Sequence, residues 1–138
     1  MSALGKVWTL PNTLLGLVAG GAALALGGRV GVGRNALEFH DSRLVGALRK
    51  SAITLGNTIH YAPGRDPEDL VRRYDGAARV ALGEHERAHT RQFERLGPFF
   101  LPVYVAAWLP FVGGAGNLFE HAADDAAEAA RPHTRAAA

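Results

Sequence analysis

Two stretches without a charged side chain frame this sequence: 22 residues from Val7 to Gly28 and 24 from Leu96 to Phe119. Between them, Arg29 to Arg95 holds most of the acids and bases of a 138-residue chain. Apolar segments of this length have to be covered by protein or by lipid, which limits the folds open to the chain. Neither block makes a good bilayer span. Pro11 interrupts the first and leaves about 17 residues to Gly28, roughly 26 Å of helix against a hydrocarbon core of about 30 Å. Glycines 16, 20, 21, 27 and 28 dilute its apolarity further. The second block contains Pro98, Pro102, Pro110 and the Gly113-Gly114 pair, and its longest unbroken stretch, Val103 to Leu109, is too short to span. The first block therefore reads as a helix covering a core or groove, or as a membrane-associated or re-entrant helix. A secretory signal is the lesser reading, carried by Lys6, the run from Leu14 to Leu26 and the Ala23-Leu24-Ala25 triplet.

Composition removes several classes. A mean hydropathy of +0.00 excludes a multi-pass membrane protein, and 48% hydrophobic residues exclude a disordered chain. With no cysteine there is no thiolate zinc site, disulfide or cysteine nucleophile. Fifteen basic against 13 acidic residues do not point to nucleic acid, and Arg72-Arg73 reads as an ordinary exposed pair. The length suits one domain over 1–138, with a frayed tail at 132–138 and no repeat or linker.

Local patterns predict a short hairpin from Arg29–Val32 and Ala36–His40, then a helical turn or loop over Leu44–Lys50. Ala52–Tyr61 is rich in β-branched and aromatic residues and reads as a strand, with a bulge or tight turn at Gly56-Asn57. A loop follows from Ala62 to Asp69, with Asp66-Pro67 as a candidate helix start. Apolar spacing predicts a helix from about Ala77 to Leu96, stopped by Gly97-Pro98, and a last helix over Leu118–Ala130.

The central helix carries His85-Glu86-Arg87-Ala88-His89. Histidines at i and i+4 lie one turn apart on one face, so both imidazoles can reach one metal ion. Glu86, about 100° around the helix, stands beside such a site, where a carboxylate can take a proton from water. A catalytic zinc site needs a third protein ligand and an open position. Downstream, Glu120 is the best candidate, with Asp124 at i+4 placed to orient a ligand imidazole. Two plainer readings stand beside this one. Asn117-x-x-Glu120 fits a capping box, and His85 and His89 fit a solvated helix face among Glu84, Arg87 and Arg91. Tyr104, His60 and His121 are candidates for oxyanion or substrate contact, with Tyr61 behind them, and spacing does not choose among them. His121 with Asp125 reads as solvated surface, and Gln92 as either site lining or helix surface. Trp8, Trp108, Phe99 and Phe100 read as core or membrane-interface anchors.

H-E-x-x-H followed by E-x-x-x-D on a second helix resembles the gluzincin type of zinc metallopeptidase. More narrowly, His85–Gln92 with Leu96-Gly97-Pro98-Phe99-Phe100-Leu101-Pro102 is similar to small bacterial proteins that pair H-E-x-x-H-x-x-Q with L-G-P-x-x-L-P and N-P-F-E. Ile53-Thr54-Leu55-Gly56-Asn57 also resembles their strand, so the likeness covers about residues 52 to 128. The resemblance implies His85, His89 and Glu120 as zinc ligands and Glu86 as general base. Leu118 replaces the proline usual before Phe-Glu. Arg87 stands where larger zincins place an apolar residue, which implies a less buried helix face.

The expectation is an α+β fold of minimal zincin-like form. A small sheet near 30–62 would lie beside the active-site helix, with apolar segments 12–28 and 98–112 wrapping that helix. The expected function is zinc-dependent hydrolysis of peptide bonds, with an extended peptide or protein substrate adding to the edge around Ile53–Tyr61. The rivals are a non-catalytic, zinc-stabilised structural protein and a membrane-associated interaction module. A fourth protein ligand such as His121 or His60 would favour the structural reading. Localisation is expected to be membrane-associated, through 12–28 and 98–112, or cytoplasmic.

Overall fold

The computed structural model describes residues 3–74, 76, 78–107 and 116–131. The fold is mixed α+β. Two helices open the chain, α1 (Ala3–Trp8) and α2 (Leu10–Ala25), with Pro11 in the first turn of α2, where its missing N–H costs nothing. The predicted hairpin follows as β1 (Arg29–Val32) and β2 (Leu37–His40), then a single turn of helix, α3 (Arg43–Ala47). The predicted strand over 52–61 is itself a hairpin, β3 (Ala52–Leu55) and β4 (Thr58–Tyr61), reversed at Gly56-Asn57, where Gly56 has φ +61.

These four strands form one sheet in the order β1-β2-β4-β3. The β2–β4 pairing is parallel and the other two are antiparallel. Because β4 is internal, the edge expected over 53–61 is confined to β3. The sheet lies between two helices. On one face sits α2; on the other, the central helix α4 (Leu82–Leu96) packs against β3 and β4. Strand parity divides β4 accordingly. Ile59 and Tyr61 join Leu82 and Ala36 in the core, while Thr58 and His60 face α2.

Close approach of α2 depends on two glycines. A Cβ on Gly16 would lie 2.0 Å from Thr58 Oγ1, and one on Gly20 would lie 2.2 Å from the Phe39 ring. Segment 12–28 therefore covers the sheet and does not wrap the central helix, which corrects the sequence expectation. The second apolar segment does pack on that helix in its described part, through a 3-10 turn (Gly97–Phe99) and α5 (Phe100–Ala107). Residues 108–112 and Trp108 lie outside the described residues.

Two short strands were not anticipated: β5 (Leu70–Arg72) and β6 (Arg79–Ala81), paired antiparallel. The helix candidate at Asp66-Pro67 is a turn, and the helix expected from Ala77 begins only at Leu82, straight after β6. Ala81 is a poor N-cap. Loop carbonyls take over the task, with Leu82 N–H donating to Asp69 O at 2.8 Å and Gly83 N–H to Pro67 O at 2.7 Å. Gly97 ends α4 at φ +57. The last helix, α6 (Gly116–Ala129), packs on α4 and β6. Arg73 is not an ordinary exposed residue: its side chain is 10% exposed and its guanidinium bonds Asp125 and Glu128 of α6.

Candidate metal centre

Helical spacing puts His85 and His89 on the face of α4 that meets α6, and α6 brings Glu120 to the same point. His85 Nε2 lies 3.1 Å from His89 Nε2 and 3.2 Å from Glu120 Oε2, and His89 Nε2 lies 3.6 Å from Glu120 Oε2. A tetrahedral ion with bonds of about 2.0–2.1 Å holds its ligand atoms about 3.3 Å apart, so the three separations suit one ion. Among the described residues, no other His, Asp or Glu joins this group.

Each of the three side chains is held from behind. The His85 Nδ1–H donates to Asp124 Oδ1 at 2.8 Å, which turns Nε2 toward Glu120 and His89. Asp124 is 1% exposed, and its other oxygen accepts the Tyr74 N–H at 2.7 Å, so the β5–β6 connection fixes the carboxylate in turn. His89 Nδ1–H donates to Gln92 Oε1 at 2.9 Å, while Gln92 Nε2 donates to Phe119 O at 3.0 Å. Gln92 thus orients the His89 ring and ties α4 to α6 next to Glu120. Tyr104 of α5 donates its hydroxyl to Glu120 Oε1.

Glu86 is buried and points to the sheet, where Oε2 accepts the Thr54 hydroxyl of β3 at 2.6 Å. A cleft runs between β3 and the helices, lined by Ala52, Thr54, Glu86, Tyr104 and the three-residue group. Arg87 departs from the resemblance without exposing the helix. Its side chain is 12% exposed, 2.7 Å from Glu84 Oε1 and 3.6 Å from Glu38 Oε1. The charge is buried between carboxylates in place of an apolar contact.

The electrostatics belong to a site that holds positive charge. Burial alone would lower both imidazoles. For His85, the hydrogen bond to Glu120 and the carboxylates of Glu86, Glu120 and Asp124 outweigh burial and hold it up at about 9. His89 is raised by its bond to Glu120 and by Glu86. Burial would raise Glu120, but the bonds from His85, His89 and Tyr104 hold it far below the usual carboxylate range.

Two sequence candidates are elsewhere. His60 stacks on Phe39 with ring centroids 4.9 Å apart and meets Thr58 Oγ1 at 3.0 Å, on the sheet face away from the centre. Burial pushes it down to about 4, only partly opposed by its bond to the Gly16 backbone. His121 makes an edge contact with Tyr74 at 5.6 Å and does not reach the centre, and its expected partner Asp125 is bonded to Arg73. Neither belongs to the group of His85, His89 and Glu120. Tyr104 does reach the site, on the Glu120 side. The capping reading of Glu120 rests on the Asn117 side chain, which lies outside the described residues. Thr54 and the orienting role of Gln92 went unrecognised in the sequence, because nothing in the spacing links position 54 to position 86. Comparison with family models, curated proteins and solved structures gave no match.

Proposed function

We propose that this chain is a minimal zincin-like metallopeptidase that hydrolyses peptide bonds. The observation that carries the reading is the convergence of His85, His89 and Glu120 at 3.1–3.6 Å beside a buried carboxylate that is not one of the three. Two imidazoles and a carboxylate suit zinc, and other first-row divalent ions to a lesser degree. Zinc held there supplies Lewis acidity that polarises a scissile carbonyl and makes water a better nucleophile at neutral pH. Glu86 accepts the proton of the attacking water and returns it to the departing amine. The Thr54 hydroxyl keeps Glu86 aimed into the cleft. Tyr104 would stabilise the carbonyl oxygen, as charge develops on it, by turning its one hydroxyl proton from Glu120 to that oxygen. An extended peptide has the free edge of β3 to pair with, along the wall of the cleft.

One observation favours the non-catalytic alternative: the ligands come from α4 and α6, so an ion there also ties two helices together. Glu86→Gln separates the readings. The peptidase reading expects zinc content unchanged and cleavage of a fluorogenic peptide library reduced by 100-fold or more, about the contribution of a general base. Undiminished cleavage by the variant, or none by zinc-loaded wild type, removes the proposal and leaves the structural one.

A further inference from the structure

Helix α2 is inside out. Its buried side carries Asn12, Thr13, Gly16, Gly20 and Ala23. The polar groups are used within the protein. Asn12 Nδ2 donates to Gly97 O at 2.9 Å, and Thr13 Oγ1 accepts the Asn57 N–H at 3.0 Å. The outward side is aliphatic, with Leu10, Leu14, Leu15, Leu17, Val18 and Leu24 all exposed and Val18 75% so. A helix facing water presents the opposite arrangement. No charged residue interrupts this surface between Val7 and Gly28.

Charge identifies the cover. Residues 1–65 contain seven basic residues and two acidic ones, Glu38 and Asp41, of which Glu38 is buried and Asp41 is bonded to Arg29. Residues 66–138 contain eight basic and eleven acidic residues. Beside α2 packs α3, which exposes Leu44 and Leu48. Arg43, Arg49 and Lys50 of this segment are exposed, and none pairs with another described residue. At the end of α1, Trp8 is 48% exposed and Phe99 beside it 62%, with ring centroids 6.2 Å apart. Aliphatic, aromatic and unpaired basic groups together match the interface of an anionic bilayer. A second copy of the chain would bring the same cations against one another.

Among the described residues no helix is long and apolar enough to cross a membrane, and the 16 residues of α2 extend only about 24 Å. We infer that the chain docks on an anionic bilayer surface, with α2 lying in the plane of the interface on its Leu14/Val18 side and Arg43, Arg49 and Lys50 on the headgroups. This inference stands independently of the metal centre. Lys50 also lines the cleft, so the basic end of the docking surface and the cleft share a border.

The test is co-sedimentation of the full chain with phosphatidylcholine vesicles, with and without phosphatidylglycerol. Wild type is expected to bind the phosphatidylglycerol vesicles and to be released by salt. Leu14→Glu/Val18→Glu is expected to abolish binding. Arg43→Gln/Arg49→Gln/Lys50→Gln is expected to weaken it about 100-fold, at about 1 kcal/mol per cation. All five side chains point outward, and circular dichroism checks that each variant is folded. If the double variant fails to fold, the triple variant decides alone. Absence of wild-type binding, or binding unchanged in the folded variants, overturns the inference. So does a dimer in lipid-free buffer that Leu14→Glu/Val18→Glu dissociates while vesicles capture nothing.

Discussion

Zinc bound as proposed would compete with protons for the imidazoles of His85 and His89, and the metal-free group sets the terms. With His85 held at about 9, its ring is protonated in roughly 99 of 100 molecules at pH 7 in the absence of metal. Coordination requires the neutral ring. Displacing that proton at pH 7 costs about 2.7 kcal/mol, two pKa units at 1.36 kcal/mol each. Apparent zinc affinity should therefore rise about ten-fold per pH unit through His85 alone, levelling off near pH 9. His89 is raised too and adds to the slope. Glu120 is already ionised and adds nothing. The stability of the metal-free fold runs the other way. A His raised in the folded state stabilises fully below the unfolded value of about 6.5, and that contribution is lost as pH rises through about 9. The assay is calorimetric titration of zinc into chelator-stripped protein at pH 6, 7 and 8, in buffers of different ionisation enthalpy. We expect between one and two protons released per zinc at pH 7. Zinc binding without proton release, at an affinity flat across this range, would refute the reasoning.

Three further outcomes follow from named contacts. Gln92→Ala and Asp124→Asn should each weaken zinc 10–100-fold by equilibrium competition with a chromogenic chelator, because each unfastens one imidazole. His60, at about 4 folded and about 6.5 unfolded, contributes stability that is present above pH 6.5 and lost as pH falls through 4. Between pH 7 and 4.5 this amounts to about 2.5 kcal/mol, and urea unfolding of metal-free wild type beside His60→Gln should show that difference in slope. Gly20→Ala drives a methyl into the Phe39 ring and should cost about 1–3 kcal/mol, whereas Gly21→Ala meets nothing and should gain about 0.5–1 kcal/mol. Equal thermal midpoints for the two variants would contradict the packing described for α2.

The pairings within each helix of the group were legible because their spacing is local. The i, i+4 rule places His85 beside His89 whatever the tertiary structure, and Glu120 with Asp124 obeys the same rule on α6. Contacts that cross the fold were not legible. Thr54 reaches Glu86 only because the turn at Gly56-Asn57 fixes the parity of β3 against the helix, and the same parity sends His60 to the far face. The strands β5 and β6 are three residues each, too short to carry a period of two. The burial of Arg73 depends on two carboxylates more than 50 positions away. The apolar block at 7–28 announced burial, but its own sequence does not say which side faces in. That side was decided by the two residues without side chains, Gly16 and Gly20, which let the helix lie against Thr58 and Phe39.

His89 and Glu120 stand 31 positions apart on different helices. An ion shared between them would close that length of chain into a ring in the folded state alone, because the unfolded chain releases it. The stabilisation would then follow free metal, about 2.7 kcal/mol at a hundred times the dissociation constant. A chain without cysteine has no covalent means of making such a closure. A metal closure would be one that a chelator or a fall in pH can open and a trace of metal can restore.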